Sequence, residues 1–470
     1  MRLYLKKHKF VKTYSSIYNH NLKEVNSIES KPFFNSLIKK LSKFSEISDE
    51  VIYLDLKRYL MGSTESLFDT KLETSLIHHF IYPAFLLSCL KRLISPYRKQ
   101  NRDKTDIIID DHHNGGMIKG FYGAEFLFKI RSSFKYKIFN SQKPMKISLK
   151  DLIFSIMNFY KSLKISRNIL KFHKIDLRKY IFNFFLLFLS GNYIRKKNKP
   201  NLIISAYDNG FPMIFGKATG ADIMLIQNGK RSIRSEASFI YADYYISMGE
   251  HKNGFNMKNL TGCVFKNIFI YGSLRLYNAY KKYNLNNIEK EFDILWISNL
   301  HSRINNKFFP LSYAYKATSL IYELADSGKY TIGYQTRKSF EEKNSFKAEI
   351  NQLKKLGLYS EKIHYIDGNK QNVYISLMKS DLILSVGSTV IEEALGIGKK
   401  VGFVNKSGNE YLNYNFKCLN NEYNSKSNIS FNHFVDELMA REDLKKFNYQ
   451  NFNYIDDLIL IIAKINNYQI

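Results

Sequence analysis

The chain is short of acid and of cysteine. Its 470 residues hold 42 Asp and Glu against 71 Lys and Arg, a formal net charge of +29. The three cysteines, Cys89, Cys263 and Cys418, lie far apart and without metal-type spacing. That excludes a disulfide framework and a zinc site and points to a reducing compartment. No secretory signal can be read, because the basic start MRLYLKKHKF is followed by no apolar core and small-residue cleavage site. Apolar runs of membrane length are missing too, a span needing roughly 18 to 20 such residues. Leu76–Leu90 is interrupted by His78, His79 and Pro83, and Tyr180–Ile194 by Asn183, Ser190, Gly191 and Asn192. Both read as core or interfacial helices. Internal repeats and low-complexity tracts are absent.

What is present is ample core, with 45% of residues hydrophobic, and length enough for two domains of roughly 200 residues each. The charge is unevenly placed. Residues 1–290 hold 49 basic and 22 acidic side chains, and residues 291–470 hold 22 and 20. The excess peaks in Lys129–Lys199, with 18 basic residues against Asp151 and Asp176. There Leu152, Ile153, Ile156, Met157, Tyr160 and Leu163 recur at helical spacing, followed by Lys161, Lys164, Arg167 and Lys171. A basic amphipathic helix of this kind resembles a membrane-surface anchor, although a solvated face has the same composition. Nucleic acid is disfavoured as a partner: there is no zinc-finger spacing, RNP-type strand or recognition helix.

Apolar runs suited to strands are Val51–Leu54, Asp106–Ile109, Leu202–Ser205, Ile223–Ile226, Tyr244–Ser247 and Ile268–Tyr271. A cleaner alternation follows. Strands are expected at Phe292–Ile297, Tyr330–Tyr334, Ile363–Ile366, Leu382–Val386 and Val401–Val404. Helices are expected at Ser312–Ala325, Phe346–Leu356, Val373–Met378 and Val390–Leu395. Such alternation implies parallel sheets covered on both faces. The expected division is an α/β domain over 1–280 carrying the basic helical insertion, a linker over 281–291, a second domain over 292–445 and a closing helix over 446–470.

The most informative segment is Ser380–Asn405, SDLILSVGSTVIEEALGIGKKVGFVN. It reads as strand, turn, helix, strand, with the turn Gly387-Ser388-Thr389 where ligands bind in open α/β sheets. Ser388 or Thr389 can cap the helix, and its first-turn N–H groups suit an anion. Glu392 and Glu393 suit hydroxyls, so the expected ligand carries both, as a sugar nucleotide does.

Two further stretches carry a resemblance: Leu225–Arg231 (LIQNGKR), Asp243–Glu250 (DYYISMGE) and Ile270–Leu274 (IYGSL), then Ile363–Val404 with Asp367-Gly368, Tyr374 and the GST turn. Together, over roughly residues 200–405, the sequence resembles GT-B enzymes of bacterial surface-polysaccharide synthesis, in which two Rossmann-like domains face across a cleft. Looser relatives are sugar-nucleotide 2-epimerases and polyol-phosphate transferases. The sequence departs from that pattern at Asn228, where the usual turn has His, and at Gln335-Thr336-Arg337, which replaces a His-Pro pair. The resemblance implies a metal-independent glycosyltransferase without a resident cofactor, taking a nucleotide-sugar donor and a lipid-linked or growing surface glycan. It would work in the cytoplasm, peripheral on the inner face of the membrane. Other readings left open are a CDP-polyol phosphotransferase, a 2-epimerase, and a basic scaffold or nucleic-acid-binding protein.

For the donor, the candidates are Gly387, Ser388 and Thr389 on phosphate, Glu392 or Glu393 on hydroxyls, His301, Arg303 and Arg337 on phosphate, and Asp367 beside base or ribose. Lys230 and Arg231 are candidates for phosphate or acceptor. For the general base, Asp111 and His112 follow a strand within Asp110-Asp111-His112-His113, and Asp208 follows another. The Asp-His cluster also has donors for a metal, but lacks a matching second cluster.

Overall fold

A computed structural model describes residues 25–67, 81–94, 104–111, 121–140, 147–173, 177–207, 210–228, 239–249, 262–298, 311–336, 345–386, 388–406, 421–424, 427–442 and 450–467. The N-terminal half contains β1 (Ile107–Asp110), β2 (Tyr136–Phe139), β3 (Leu202–Ser205), β4 (Asp222–Ile226), β5 (Tyr241–Ser247) and β6 (Val264–Ile270). All pair in parallel, in the order β2-β1-β3-β4-β5-β6. The C-terminal half contains β7 (Phe292–Ile297), β8 (Ile332–Gln335), β9 (Ile363–Ile366), β10 (Ser380–Ser385), β11 (Lys400–Asn405) and β12 (Glu422–Asn424). These too are parallel, in the order β12-β11-β10-β7-β8-β9.

The inner strands of both sheets are buried on two faces and are apolar nearly throughout instead of alternating, whereas the edge strands β2 and β6 are largely half-buried or exposed. In the N-terminal half, Ile108, Ile203 and Ile223 face one layer and Ile107, Ile109 and Ile204 the other. The first layer is built by α1 (Pro32–Ser45), α2 (Asp49–Leu67), α3 (Ile81–Ile94), α5 (Leu149–His173), α6 (Arg178–Asn198) and α7 (Met213–Ala218). The second holds α4 (Gly123–Ser133) and α8 (Leu274–Tyr283). The C-terminal sheet is sandwiched likewise, with α9 (Leu311–Asp326), α10 (Ser345–Lys355) and α13 (Phe431–Ala440) on one face, and α11 (Val373–Met378) and α12 (Val390–Leu395) on the other.

Two elements join the halves. Helix α8 places Leu274 and Tyr277 in the N-terminal core and Leu276 and Ala279 in the C-terminal one. The chain then returns: α14 (Tyr454–Ile465) buries Tyr454, Ile455, Leu458 and Ile462 against the N-terminal sheet. The crossing is pinned where Asn451 N donates to Tyr271 O at 3.1 Å and Gln450 Oε1 accepts from Ser273 N at 2.9 Å. Gly272 has φ +78°, and a Cβ there would collide with the Gln450 amide, so glycine is required. This is the GT-B plan: two Rossmann-like α/β halves.

Several expectations change. Val51–Leu54 belongs to α2 instead of a strand. Its apolar run is also compatible with a helix, and Asp49 and Glu50 favour the helical start. Strand β2, at the sheet edge, was not expected because Lys135 and Lys137 break its apolar character. Helix α5 does not have a single apolar face. Leu152, Phe159 and Leu163 are buried, while Ile153, Met157 and Tyr160 are exposed. Segment 180–194 lies inside α6, whose Tyr180, Ile181, Phe184, Phe185 and Leu189 are core. Its Gly191 permits close passage of α7, since a Cβ would meet Phe215 O at 2.5 Å. Among the described residues no helix is long and apolar enough to cross a membrane.

Candidate functional site

In an open parallel sheet, ligands bind beyond the carboxyl ends of the strands where the strand order reverses. Each half has one such point: between β1 and β3, and between β7 and β10.

At the C-terminal reversal, the last residue of β10 ties the two strand ends together. Ser385 Oγ donates to Ile297 O at 3.0 Å and accepts from Ser388 N at 3.3 Å. Ser388 Oγ in turn accepts from Val390 N at 3.3 Å, so Ser388 supplies the side-chain cap at the start of α12 and Thr389 does not. Ser388 and Thr389 are half-buried, and Glu392 is buried in the first turn. Beneath the end of β7, Ser298 Oγ donates to Glu349 Oε1, which also accepts from Tyr334 OH at 2.9 Å. Burial pushes the Glu349 carboxyl up to about 7, against the lowering effect of Ser298 and Tyr334. Burial outweighs the two hydroxyl donors, as it does for a carboxyl taken out of water.

Glu393 has a different setting from Glu392. Its Oε1 accepts from Ser273 Oγ at 2.5 Å, its Oε2 from Tyr374 OH at 3.0 Å, and Arg275 Nε lies 3.8 Å away. Arg275 also donates to Asn228 O at 2.5 Å. Burial acts against the Arg275 charge, but Glu393 and then Tyr374 outweigh it and hold the guanidinium above its ordinary pKa. Glu393 is thus a clasp between α12 and the first turn of α8. The three motif pieces that carried the resemblance meet beside it: Gln227 Oε1 accepts from Met248 N at 2.9 Å, Asn228 Nδ2 donates to Ala206 O at 2.6 Å, and Arg275 reaches Asn228.

At the N-terminal reversal, Ser205, the last residue of β3, donates to Asp110 Oδ2 at 2.9 Å. Tyr122 OH donates to Asp110 O at 3.4 Å and accepts from Ala206 N at 2.9 Å. Asp111 follows directly and is buried, its N–H donating to Phe139 O at 2.6 Å. Two carboxylates therefore sit at the mouth of this sheet. Asp243, from the DYYISMG motif, is not at that mouth. It anchors β5 through ion pairs with Lys217 and Lys266 and a bond from Ile223 N at 2.8 Å. Burial tends to raise its pKa, but the lysines and that N–H hold the carboxyl below its ordinary range.

Of the remaining candidates, Asp367 forms a turn in which its Oδ1 accepts from Asn369 N at 2.9 Å, and Gly368 N donates to Thr336 Oγ1 at 3.0 Å. His112, Asp208, Lys230, Arg231, His301, Arg303, Arg337 and Gly387 lie outside the described residues. Among the described residues, no three His, Cys, Asp or Glu gather as metal ligands.

Sequence reading missed Ser273, Arg275 and Glu349. Ser273 stood inside the IYGSL motif but its partner is 120 positions away. Glu349 had a usable signal: it lies four residues before Leu353 on the buried face of α10, an unusual place for a carboxylate.

No family model matches the chain. No curated protein sequence matches it either. Solved structures do. One is a UDP-GlcNAc 2-epimerase from Neisseria meningitidis bound to UDP-GlcNAc, at 12% identity over 77% of this chain and 100% of that one, TM-score 0.42. Another is the wall teichoic acid polymerase TagF, at 12% identity over 83% and 97%, TM-score 0.37. A third is HepE from Anabaena in complex with UDP and glucose, at 11% identity over 77% and 97%, TM-score 0.35. At such scores these likenesses add nothing to the strand order and site geometry above.

Proposed function

We propose that this chain is a sugar-nucleotide-using enzyme of GT-B plan, and more finely a glycosyltransferase. It would move a sugar from a nucleotide-sugar donor to a lipid-linked or growing surface glycan at the inner face of the membrane. The observation that carries the reading is the C-terminal reversal point. There the ends of β7 and β10 are locked by Ser385, and a turn of hydroxyls stands next to the buried Glu392. In this reading Ser388, Thr389 and the main-chain N–H groups of their turn meet the donor phosphates, where pre-placed donors stabilise the charge that develops on the leaving group. Glu392 accepts from ribose or sugar hydroxyls. Glu393 keeps the donor half aligned with α8. The acid at the opposite reversal, Asp111, takes the proton of the acceptor hydroxyl. The donor enters as a substrate and no resident cofactor is required.

The test is binding and turnover with a panel of UDP-, CDP-, GDP- and TDP-sugars, with and without a membrane-extracted acceptor. Acceptor-dependent transfer from one donor supports the reading. Failure of folded protein to bind any donor overturns it. Conversion of a UDP-sugar to its C2 epimer without acceptor would assign epimerisation instead, and release of CMP from a CDP-polyol would assign phosphotransfer.

A further inference from the structure

Among the described residues, the most conspicuous exposed apolar surface is on the outer helices of the N-terminal half. In α5, Leu149, Ile153, Phe154, Met157 and Tyr160 are each 57–61% exposed. These side chains occupy one arc of the helix, opposite the buried Leu152, Phe159 and Leu163. At 3.6 residues per turn, the same arc continues into the exposed cations Lys161, Lys164 and Arg167. Helix α3 packs beside it through Tyr82 and Tyr160, ring centroids 6.2 Å apart, and through Phe85 stacked on Phe159 at 3.9 Å. It adds Leu87, 66% exposed, and Leu90, 48% exposed. Soluble monomers scatter exposed apolar residues singly, and seven on two packed helices are more than scatter.

Charge says what covers this face. Lys150 is exposed in the first turn of α5, and Lys196, which pairs with Asp151 there, also lines a cleft of about 440 Å³ with Lys104, Lys197, Asn198 and Lys199. With Lys150 in the first turn and Lys161, Lys164 and Arg167 beyond Tyr160, exposed cations stand at both ends of the apolar arc, within the segment whose 18 basic residues face only two acids. Apolar side chains flanked by lysines match a bilayer surface: the apolar part enters the headgroup boundary and the lysines meet anionic lipid.

We propose that the exposed faces of α5 and α3 are the surface by which this protein docks on an anionic lipid bilayer, with α5 lying along the interface. The proposal extends the membrane part of the function above but does not depend on the donor chemistry, because vesicle binding is read without turnover.

The experiment is co-sedimentation of the full chain with vesicles of phosphatidylglycerol and phosphatidylcholine, compared with phosphatidylcholine alone. Two variants are run beside the parent: Ile153→Asp with Met157→Asp, and Lys161→Glu with Lys164→Glu and Arg167→Glu. All five side chains are exposed, and near-parent circular dichroism and donor binding would confirm that the fold is kept. The expected result is binding to the anionic vesicles, weakened about tenfold or more in both variants. Equal binding to neutral and anionic vesicles would overturn the proposal, and so would parent-like binding by the Ile153/Met157 variant. Absence of vesicle binding together with salt-sensitive RNA or DNA binding, lost in the charge-reversal variant, would overturn it in favour of nucleic acid. If donor turnover fails while vesicle binding behaves as expected, the glycosyltransferase reading fails alone.

Discussion

At the reversal of the N-terminal sheet a terminal serine, Ser205, donates to a buried carboxylate, Asp110, with Asp111 beside it. At the reversal of the C-terminal sheet the corresponding serine, Ser385, donates to a main-chain carbonyl, and the groups around it are the hydroxyls of Ser388 and Thr389. The construction is shared and the chemistry differs. The difference also runs against bulk charge: two adjacent aspartates close the sheet mouth of the strongly basic half, and the nearly neutral half presents the hydroxyl turn with Glu392 behind it. Net charge of a domain therefore describes its outer surface, here α3 and α5, and says little about the mouth of its sheet. What faces a ligand is set by the two or three residues at the strand ends.

The comparison can be broken from either side. The largest effect is expected from Asp111→Asn, which removes the proposed base. Turnover should fall by about 10² to 10⁴-fold while nucleotide affinity and unfolding midpoint stay near the parent values. Next is the clasp between the halves. Glu393→Ala leaves Arg275 Nε, which has no hydrogen-bond partner among the described residues, beside an empty site, and removes the acceptor of Ser273 and Tyr374. Urea denaturation should show a loss of about 3 kcal/mol.

Glu349 sharpens the C-terminal side. Its carboxyl titrates at about 7 in the fold against 4.5 ordinarily. Stability is therefore undiminished below pH 4.5 and falls as pH rises towards 7, where the buried group must ionise. Glu349→Gln keeps the acceptor for Ser298 and Tyr334 without that charge. It should stabilise the protein by about 3 kcal/mol at pH 8 and by almost nothing at pH 4. The smallest effect is expected from Ser388→Ala. Nucleoside diphosphate binding should weaken about tenfold, the value of one hydrogen bond to a charged group, with stability changed by under about 1 kcal/mol.

The two halves also differed in how much could be read beforehand. β7, β9, α11 and α12 start and end where the pattern placed them, because short turns and compact αβ units leave local periodicity little competition. In the N-terminal half Val51–Leu54 read as a strand because a four-residue apolar run has no period of its own. Its helical identity comes from packing of α2 among other helices. The turn after β10 was legible as a candidate because strand, small residues and helix follow one another directly. The clasp was not. Whether Glu392 or Glu393 meets Ser273 depends on how two domains close, and nothing within the helix Val390–Leu395 distinguishes them.

In the proposed reading the donor nucleotide is held by the C-terminal reversal point and not by Asp111. That placement is tested most directly by calorimetric titration of UDP, CDP, GDP and TDP into the parent, Ser388→Ala, Glu392→Gln and Asp111→Asn proteins. The prediction is binding of at least one nucleotide, weakened about tenfold by Ser388→Ala and unchanged by Asp111→Asn, with Glu392→Gln acting on the nucleotide-sugar or its ribose. Equal weakening by Asp111→Asn, or binding indifferent to Ser388→Ala and Glu392→Gln, would contradict it.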